Sequence, residues 1–359
     1  MKAMTRLWFS IIVCSAILSN PAPALQADPL DPYIAGARKE GSVTIGITVR
    51  DKIHGKPAGQ LYMAAFQKRY PFLKVNFKRI GGGRERERVI TEMTAGVFNF
   101  DVATASATMV RTLVEARLPR AVEWGNVGVP QFLIHPKNIG MTLRTALFGI
   151  AYNRDLVPDE VAAGFTWETC TDPKWKGKIA TDNLPLHLEP LYVSNVWGPE
   201  KTLDYARRAA AIKPIVESSR TSAAAKLTSG AYHLICGAPR AQTRALQVFA
   251  GSKSIGIVFP EPVPIGIGDF IFVPDKAKHP NAAVLFMVWT ATQEAQNLLD
   301  RIDFSGHPAF EGNEIKELLK GKQLVYGSWD DVERSDFVLA ELLQAMGMPV
   351  VRSTAKKKK

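Results

Sequence analysis

Residues able to grip a charged small molecule recur in this chain at one kind of place, just behind an apolar strand-like run. Thr48, Arg50 and Asp51 close Val43–Val49, Gly81, Gly82, Gly83 and Arg84 follow Leu73–Ile80, and Thr104 and Ser106 close Asp101–Ala105. Glycines directly ahead of a helix leave backbone N–H groups uncovered, and the helix dipole makes that spot favourable for an anion. Arg84 adds a guanidinium that can hold a carboxylate or phosphate through two parallel hydrogen bonds. A plainer reading stands beside it: Arg84, Glu85, Arg86, Glu87 and Arg88 alternate in sign and can pair with one another on a solvent-facing helix.

A second set lies further along: Tyr152 at the end of Leu147–Asn153, Asp182 and Asn183 after Lys178–Thr181, Ser219, Arg220 and Thr221 ahead of a helix, and Arg240 after Cys236-Gly237-Ala238-Pro239. Thr221 or Ser222 can serve simply as that helix's cap. Catalytic patterns are missing: there is no Gly-x-Ser-x-Gly, no Gly-Lys-Ser/Thr and no His-Glu-x-x-His. Asp182 and Glu261 on separate segments are weak grounds for an acid/base pair. The histidines at 54, 135, 187, 233, 279 and 307 have no metal-site spacing, so neither metal nor cofactor is expected. Trp167, Trp175 and Trp197 are expected in the core, with stacking on a ligand as the alternative.

Lys2 and Arg6, the apolar run Leu7–Leu18 and the small residues and prolines up to Ala27 read as a secretory signal peptide, cleaved after Ala24 or Ala27. Twelve apolar residues fall short of the ~20 that span a bilayer, so a cleaved leader and a periplasmic protein are expected. The formal charge of +11 does not indicate nucleic acid. Two positive charges leave with residues 1–27 and five sit in the tail, Arg352 and Lys356 to Lys359, so +4 remains on the body. Residues 352–359 read as a basic disordered tail. Two cysteines outlast processing, Cys170 and Cys236. An oxidising compartment lets them pair, and two separate buried thiols are the other reading.

The elements that must position these residues alternate. A helix over Asp28–Glu40 precedes strand, helix, strand, helix, strand up to Ala105, the pattern of a parallel sheet covered on both faces. In the helix over Gly59–Tyr70 the period places Leu61, Tyr62, Ala65 and Phe66 on one side, and over Arg84–Ala95 it buries Val89, Ile90 and Met93. Strands are expected at Lys178–Thr181, His233–Cys236, Ile255–Phe259 and Asp269–Val273. Helices are expected at Leu191–Trp197, Glu200–Ile212, Ser222–Ser229, Arg240–Ala250 and, as one long helix, from Pro280 to Leu299.

The strand ending in Tyr152-Asn153, the Trp-containing turn and the run Asp172-Pro173-Lys174-Trp175-Lys176-Gly177-Lys178-Ile179 resemble the extracellular solute-binding proteins of bacterial ABC importers, in the branch of ferric-iron, thiamine and phosphonate binders. The resemblance runs from about Tyr33 to about Ile302. It implies an α/β, two-lobed periplasmic-binding-protein fold, each lobe a mainly parallel sheet flanked by helices, joined by a two-crossing hinge. Domain 1 would be 28–144 with 260–359, and domain 2 145–259, holding both cysteines. Ser219 and Arg220 would then lie in a loop that commonly lines the family's cleft. The implied function is capture of a small anionic or polar solute by a monomer that delivers it to an inner-membrane permease, with no enzymatic step; a sensory binder docking on a receptor or kinase is the rival. The ferric-iron binders carry adjacent tyrosines near the position of Ala238-Pro239-Arg240. No Tyr-Tyr occurs in this chain, which leaves iron only with an anion partner as an alternative ligand.

Overall fold

A computed structural model describes residues 28–53, 55–327, 329–332 and 334–350. The expected leader, His54 and the basic tail lie outside them.

The chain opens with α1 (Asp31–Glu40), ended by Gly41 at φ +67°, then β1 (Ser42–Ile47), α2 (Ala58–Arg69), β2 (Lys74–Arg79), α3 (Gly82–Thr94), β3 (Ala103–Ala105) and α4 (Val110–Glu115). β1 and β2 form a parallel pair. Within α2 it is Tyr62, Met63 and Phe66 that are buried; Leu61, expected inward, is 49% exposed. Helix α3 begins at Gly82, so the glycines form its first turn instead of preceding it, with Gly82 at φ +76°.

β4 (Met141–Asn153) is one 13-residue strand where the sequence suggested a crossing segment and a separate strand. Its first half pairs antiparallel with β9 (Val263–Phe272), and its second half with β7 (Leu234–Pro239) and β8 (Ile255–Val258). Between them come α5 (Asp159–Ala162), β5 (Ile179–Asp182), α6 (Glu189–Val193), α7 (Gly198–Ala211), β6 (Ile215–Glu217), α8 (Arg220–Thr228) and α9 (Arg240–Phe249). β5 runs parallel to β6 and β7, while β3 pairs antiparallel with β9. The expectation of mainly parallel sheets is therefore corrected to a mixed α/β arrangement: strands that pass from one half of the sheet into the other must return alongside themselves, which makes those pairings antiparallel.

The long helix expected after Pro280 is two, α10 (Pro280–Thr290) and α11 (Gln293–Asp303). Thr292 starts the second by accepting the N–H of Ala295 on its hydroxyl at 3.3 Å. α10 is buried along its whole length from Ala282 to Thr290. Glu40, at the end of α1, caps it by accepting the N–H groups of Asn281 (3.1 Å) and Ala282 (2.8 Å). One apolar cluster joins α1, β1, α2, α10, α11 and the start of β4, with Tyr62, Phe66, Phe286 and Trp289 in ring contact. Another joins the end of β4, α6, α7, β7 and Trp167, whose indole N–H donates to the Pro262 carbonyl at 3.0 Å. Trp175 and Trp197 pack against that same cluster, so the core reading holds for all three tryptophans. Cys170 and Cys236 form a disulfide inside it, with Cα atoms 6.1 Å apart.

Beyond α11 lie α12 (Glu314–Leu318), β10 (Leu324–Tyr326), α13 (Trp329–Val332) and α14 (Ser335–Ala345). The sequence reading put all of 260–359 with the first half. Val338, Leu342 and Met346 instead pack among Trp167, Tyr205 and Leu191 of the second. Two polar contacts accompany them: the Tyr192 hydroxyl donates to Glu341, and the Ser335 hydroxyl to Glu189 at 3.1 Å. Burial pushes the Glu189 carboxyl up to about 7, with the Ser335 hydrogen bond and the Arg220 charge pulling partly back. A carboxyl held above its usual ~4.3 stabilises the fold only while protonated, so this contribution is complete below that value and is lost as pH rises towards 7. Glu189→Gln is expected to raise the melting temperature at pH 8 and leave it unchanged at pH 4; an equal shift at both would contradict this account.

Candidate functional site

Sequence places Arg144 as the lone charge in an apolar strand, and a charge there needs a buried partner. The partner is Asp269, directly across on β9. The ladder is irregular on both sides of this pair, with Leu143 extra on β4 and Gly268 extra on β9. A Cβ at 268 would stand 2.7 Å from the Arg144 carbonyl oxygen, so only glycine lets the strands approach there.

Four more segments reach this pair. The Arg144 guanidinium donates through Nε to Asp269 and through Nη1 to Asp303, the last residue of α11. Arg86 on α3 donates to the other Asp269 oxygen at 2.6 Å, and the Thr48 hydroxyl behind β1 donates to Asp269 as well. Arg50 stands 3.6 Å from Asp303. The register Ala105↔Phe270 carries Ser106 to the level of Asp269, and its hydroxyl lies 2.9 Å from that of Thr108.

Both carboxylates are fully buried, whereas the side chains of Arg50, Arg86 and Arg144 are 22%, 14% and 18% exposed. Burial alone would lower the pKa of Arg144, but Asp269 and Asp303 outweigh it and hold it above the ordinary value. Burial alone would raise Asp269, but Arg144, Arg86 and Thr48 hold it below the usual carboxylate range. Arg50 goes the other way: burial lowers it, Asp303 compensates only in part, and the charges of Arg144 and Arg79 push in the same direction as burial. Three guanidiniums facing two carboxylates leave one positive charge over. Arg50 is where that surplus is least compensated, and an anion is what would compensate it.

The second half offers a smaller cluster. Arg220, first residue of α8, donates to Asp182 at the end of β5, and the Ser219 hydroxyl accepts the N–H of Ser222 at 3.3 Å as the helix cap. A cavity of about 20 Å³, room for a water molecule, lies among Thr181, Asp182, Glu217, Arg220, Gln242 and Thr243. Next to it His187 stacks on Trp167 with ring centres 5.7 Å apart. Burial, then the Arg220 charge, push its imidazole down to about 3, so it is neutral at physiological pH.

Other residues singled out from sequence lie elsewhere. Gly82, Gly83 and Arg84 are on the exposed face of α3. The Gly81 N–H, one of the amides offered to an anion, is taken by the Glu85 carboxylate at 2.6 Å. Tyr152 sits eight residues beyond Arg144 on the same strand, roughly 25 Å at ~3.3 Å per residue. Its hydroxyl donates to Asp159 at 2.6 Å and is pushed up to about 12 by burial and that bond. Arg240 is 2% exposed and donates to Asp300 (3.0 Å) and to the Phe304 carbonyl (2.7 Å), with Glu314 at 3.1 Å. It ties α9 to α11 instead of opening to solvent. Glu261 accepts the Gln323 N–H at 2.8 Å while Asp182 is held by Arg220, so the two carboxylates have separate partners.

Sequence alone does not single out Arg86, Arg144, Asp269 and Asp303 as a cluster, although for Arg86 a signal is present. It lies three residues before Val89, four before Ile90 and seven before Met93, on the inward face of α3.

A family model described as bacterial extracellular solute-binding protein matches residues 62–312. A search of curated protein sequences finds no significant match. Among solved structures, an iron- and citrate-bound FutA (IdiA) from Trichodesmium superposes with a TM-score of 0.65 at 19% identity, covering 86% of this chain and 100% of that one. Iron-bound HitA from Pseudomonas aeruginosa gives 0.66 at 14% identity over 84% and 99%, and a ferric binding protein from Campylobacter jejuni 0.66 at 15% over 86% and 100%. At these identities the likeness is one of fold.

Proposed function

The chain belongs to the bacterial extracellular solute-binding proteins, and from that premise we propose that it captures a small oxyanion outside the inner membrane and delivers it to the permease of an ABC importer. The observation that carries the anion is the excess of guanidiniums over carboxylates around Arg50, which stands 3.6 Å from Asp303 and is compensated by it only in part, where the end of β1 meets the β4–β9 crossing. Arg220 and Asp182 would complete the site from the other half. Export by residues 1–27 and action as a monomer belong to the same reading.

Residues 28–144 and most of 260–332 form one lobe in this proposal, and 145–259 with α14 the other. The irregular stretch of β4 and β9 at Leu143–Thr145 and Gly268 supports a hinge there, since bulged ladders bend more readily than regular ones. Ligand would favour the closed arrangement by binding it better.

Iron, bound by two of the neighbours, enters this reading only together with an anion partner. Fe(III) needs anionic oxygen ligands, and the groups least committed at this site are guanidiniums. Among the described residues no group of three or more His, Cys, Asp or Glu could hold a metal ion.

A thermal-shift screen across phosphate, phosphonates, phosphate esters and carboxylates tests the proposal; a ligand at 100 times its Kd stabilises by about 2.7 kcal/mol. Arg50→Ala is expected to weaken binding roughly 10- to 100-fold, the worth of one charge-assisted hydrogen bond. Arg220→Ala should weaken it in the same direction. Arg84→Ala should bind like the parent, and Arg240→Ala should lose stability before affinity. Parent-like binding by both Arg50→Ala and Arg220→Ala would refute the site.

A further inference from the structure

Asp303 carries an oxygen that the fold leaves without a donor. Oδ2 accepts from Arg144 and from the Ser305 hydroxyl at 2.9 Å. Oδ1 is buried and has no hydrogen bond among the described residues; the Arg50 guanidinium, at 3.6 Å, is too far to supply one. The contrast with Asp269 is direct, because both oxygens of that carboxylate are engaged by Thr48, Arg86 and Arg144. A buried carboxylate oxygen without a donor is costly, and proteins keep such a group where something outside the fold supplies the donor. Here the vacant acceptor lies beside the cation least committed to other partners. Arg86 Nε, in the same cluster, is likewise buried without an acceptor.

We propose that Asp303 is the specificity-determining residue of the anion site: its Oδ1 accepts an O–H or N–H that the ligand carries next to its anionic oxygens. This rests on the anion reading above and sharpens it. An oxyanion with every oxygen deprotonated sets its lone pairs against the Asp303 carboxylate while it reaches for Arg50, and two anionic oxygens in contact repel. One that retains a proton, or bears a neighbouring hydroxyl or ammonium group, turns that repulsion into a hydrogen bond. The class of ligand is a protonated or hydroxylated oxyanion.

Hydrogen phosphate and sulfate at pH 8 have the same shape and the same charge of about −2, and differ by one proton. At pH 6, methylphosphonate monoanion and methanesulfonate differ in the same way at a charge of about −1. Calorimetric titration of the full chain is expected to give at least about 100-fold preference for the protonated member of whichever pair binds, a difference of ~2.7 kcal/mol. Asp303→Asn, whose amide can donate, should cut the preference below about 10-fold by strengthening the sulfur oxyanion. Circular dichroism checks its folding, and should it not fold, the two pairs on the parent decide the matter alone. Equal affinity within the pairs, or an unchanged ratio in a folded Asp303→Asn, would overturn the filter and leave the anion site standing. No binding of any of the four would overturn the filter, and no binding across the wider screen of phosphate esters and carboxylates would overturn the anion reading as well.

Discussion

Replacing Arg144 with methionine is expected to cost about 3–5 kcal/mol of stability, read as a shift of the urea midpoint at pH 7 and 25 °C. Methionine has similar length and leaves little void, so the loss comes from charge. Asp269 keeps Arg86 and Thr48, but Asp303 loses its one hydrogen-bonded cation and retains only Ser305 and the more distant Arg50. Adding Asp303→Asn should recover part of the loss, since a neutral amide needs no counter-ion. Acid behaviour supplies a second check. The depressed Asp269 carboxyl contributes stability that is present above its unfolded value near 4 and is lost as pH falls through its lower folded value. Without Arg144 that acid-dependent fall should be smaller. A midpoint shift worth less than ~1 kcal/mol would mean that water or rearrangement compensates the two aspartates.

Opening the Cys170–Cys236 bridge should cost nearly as much. The two lie 66 residues apart in sequence, and closing a loop of that length removes about 4 kcal/mol of unfolded-chain entropy. The double change to alanine, or reduction of the native protein, is expected to lower the melting temperature by several degrees. The bridge joins the turn after Thr166 to the central strand β7, so the loss should appear first in the fluorescence of Trp167, which packs in the same cluster. An unchanged melting temperature in dithiothreitol, with thiol titration showing the bridge open, would rule this contribution out.

How far the sequence could be read depended on whether a signal was local. The apolar runs around 43–49, 233–236 and 269–273 are strands in the structure. Thr48 and Arg50 are legible as candidates because such runs end there. Arg144, Asp269 and Asp303 are not, because they form a cluster only when brought together, and their meeting depends on a register between strands 125 residues apart. Glycines taken as preceding the helix point to Arg84, whereas counting back from Ile90 and Val89 by helical turns reaches Arg86. Arg240 looked like a ligand-binding arginine at a strand end, and only tertiary contacts show that Asp300 and Phe304 already occupy it. The path of α14 could not have been found from pattern, since an amphipathic helix does not say which core receives it.

Glu40 holding the first turn of α10 ties the front of the protein to a piece some 240 residues later. A ribosome must therefore pass residue 303 before α1, β1 and α2 have the helices that cover them. Until then the nascent chain has no early N-terminal unit to close, and the long sequence separation makes that closure slow. Under the export proposed above, late closure is an advantage, because the strand that enters a membrane channel is still a thread.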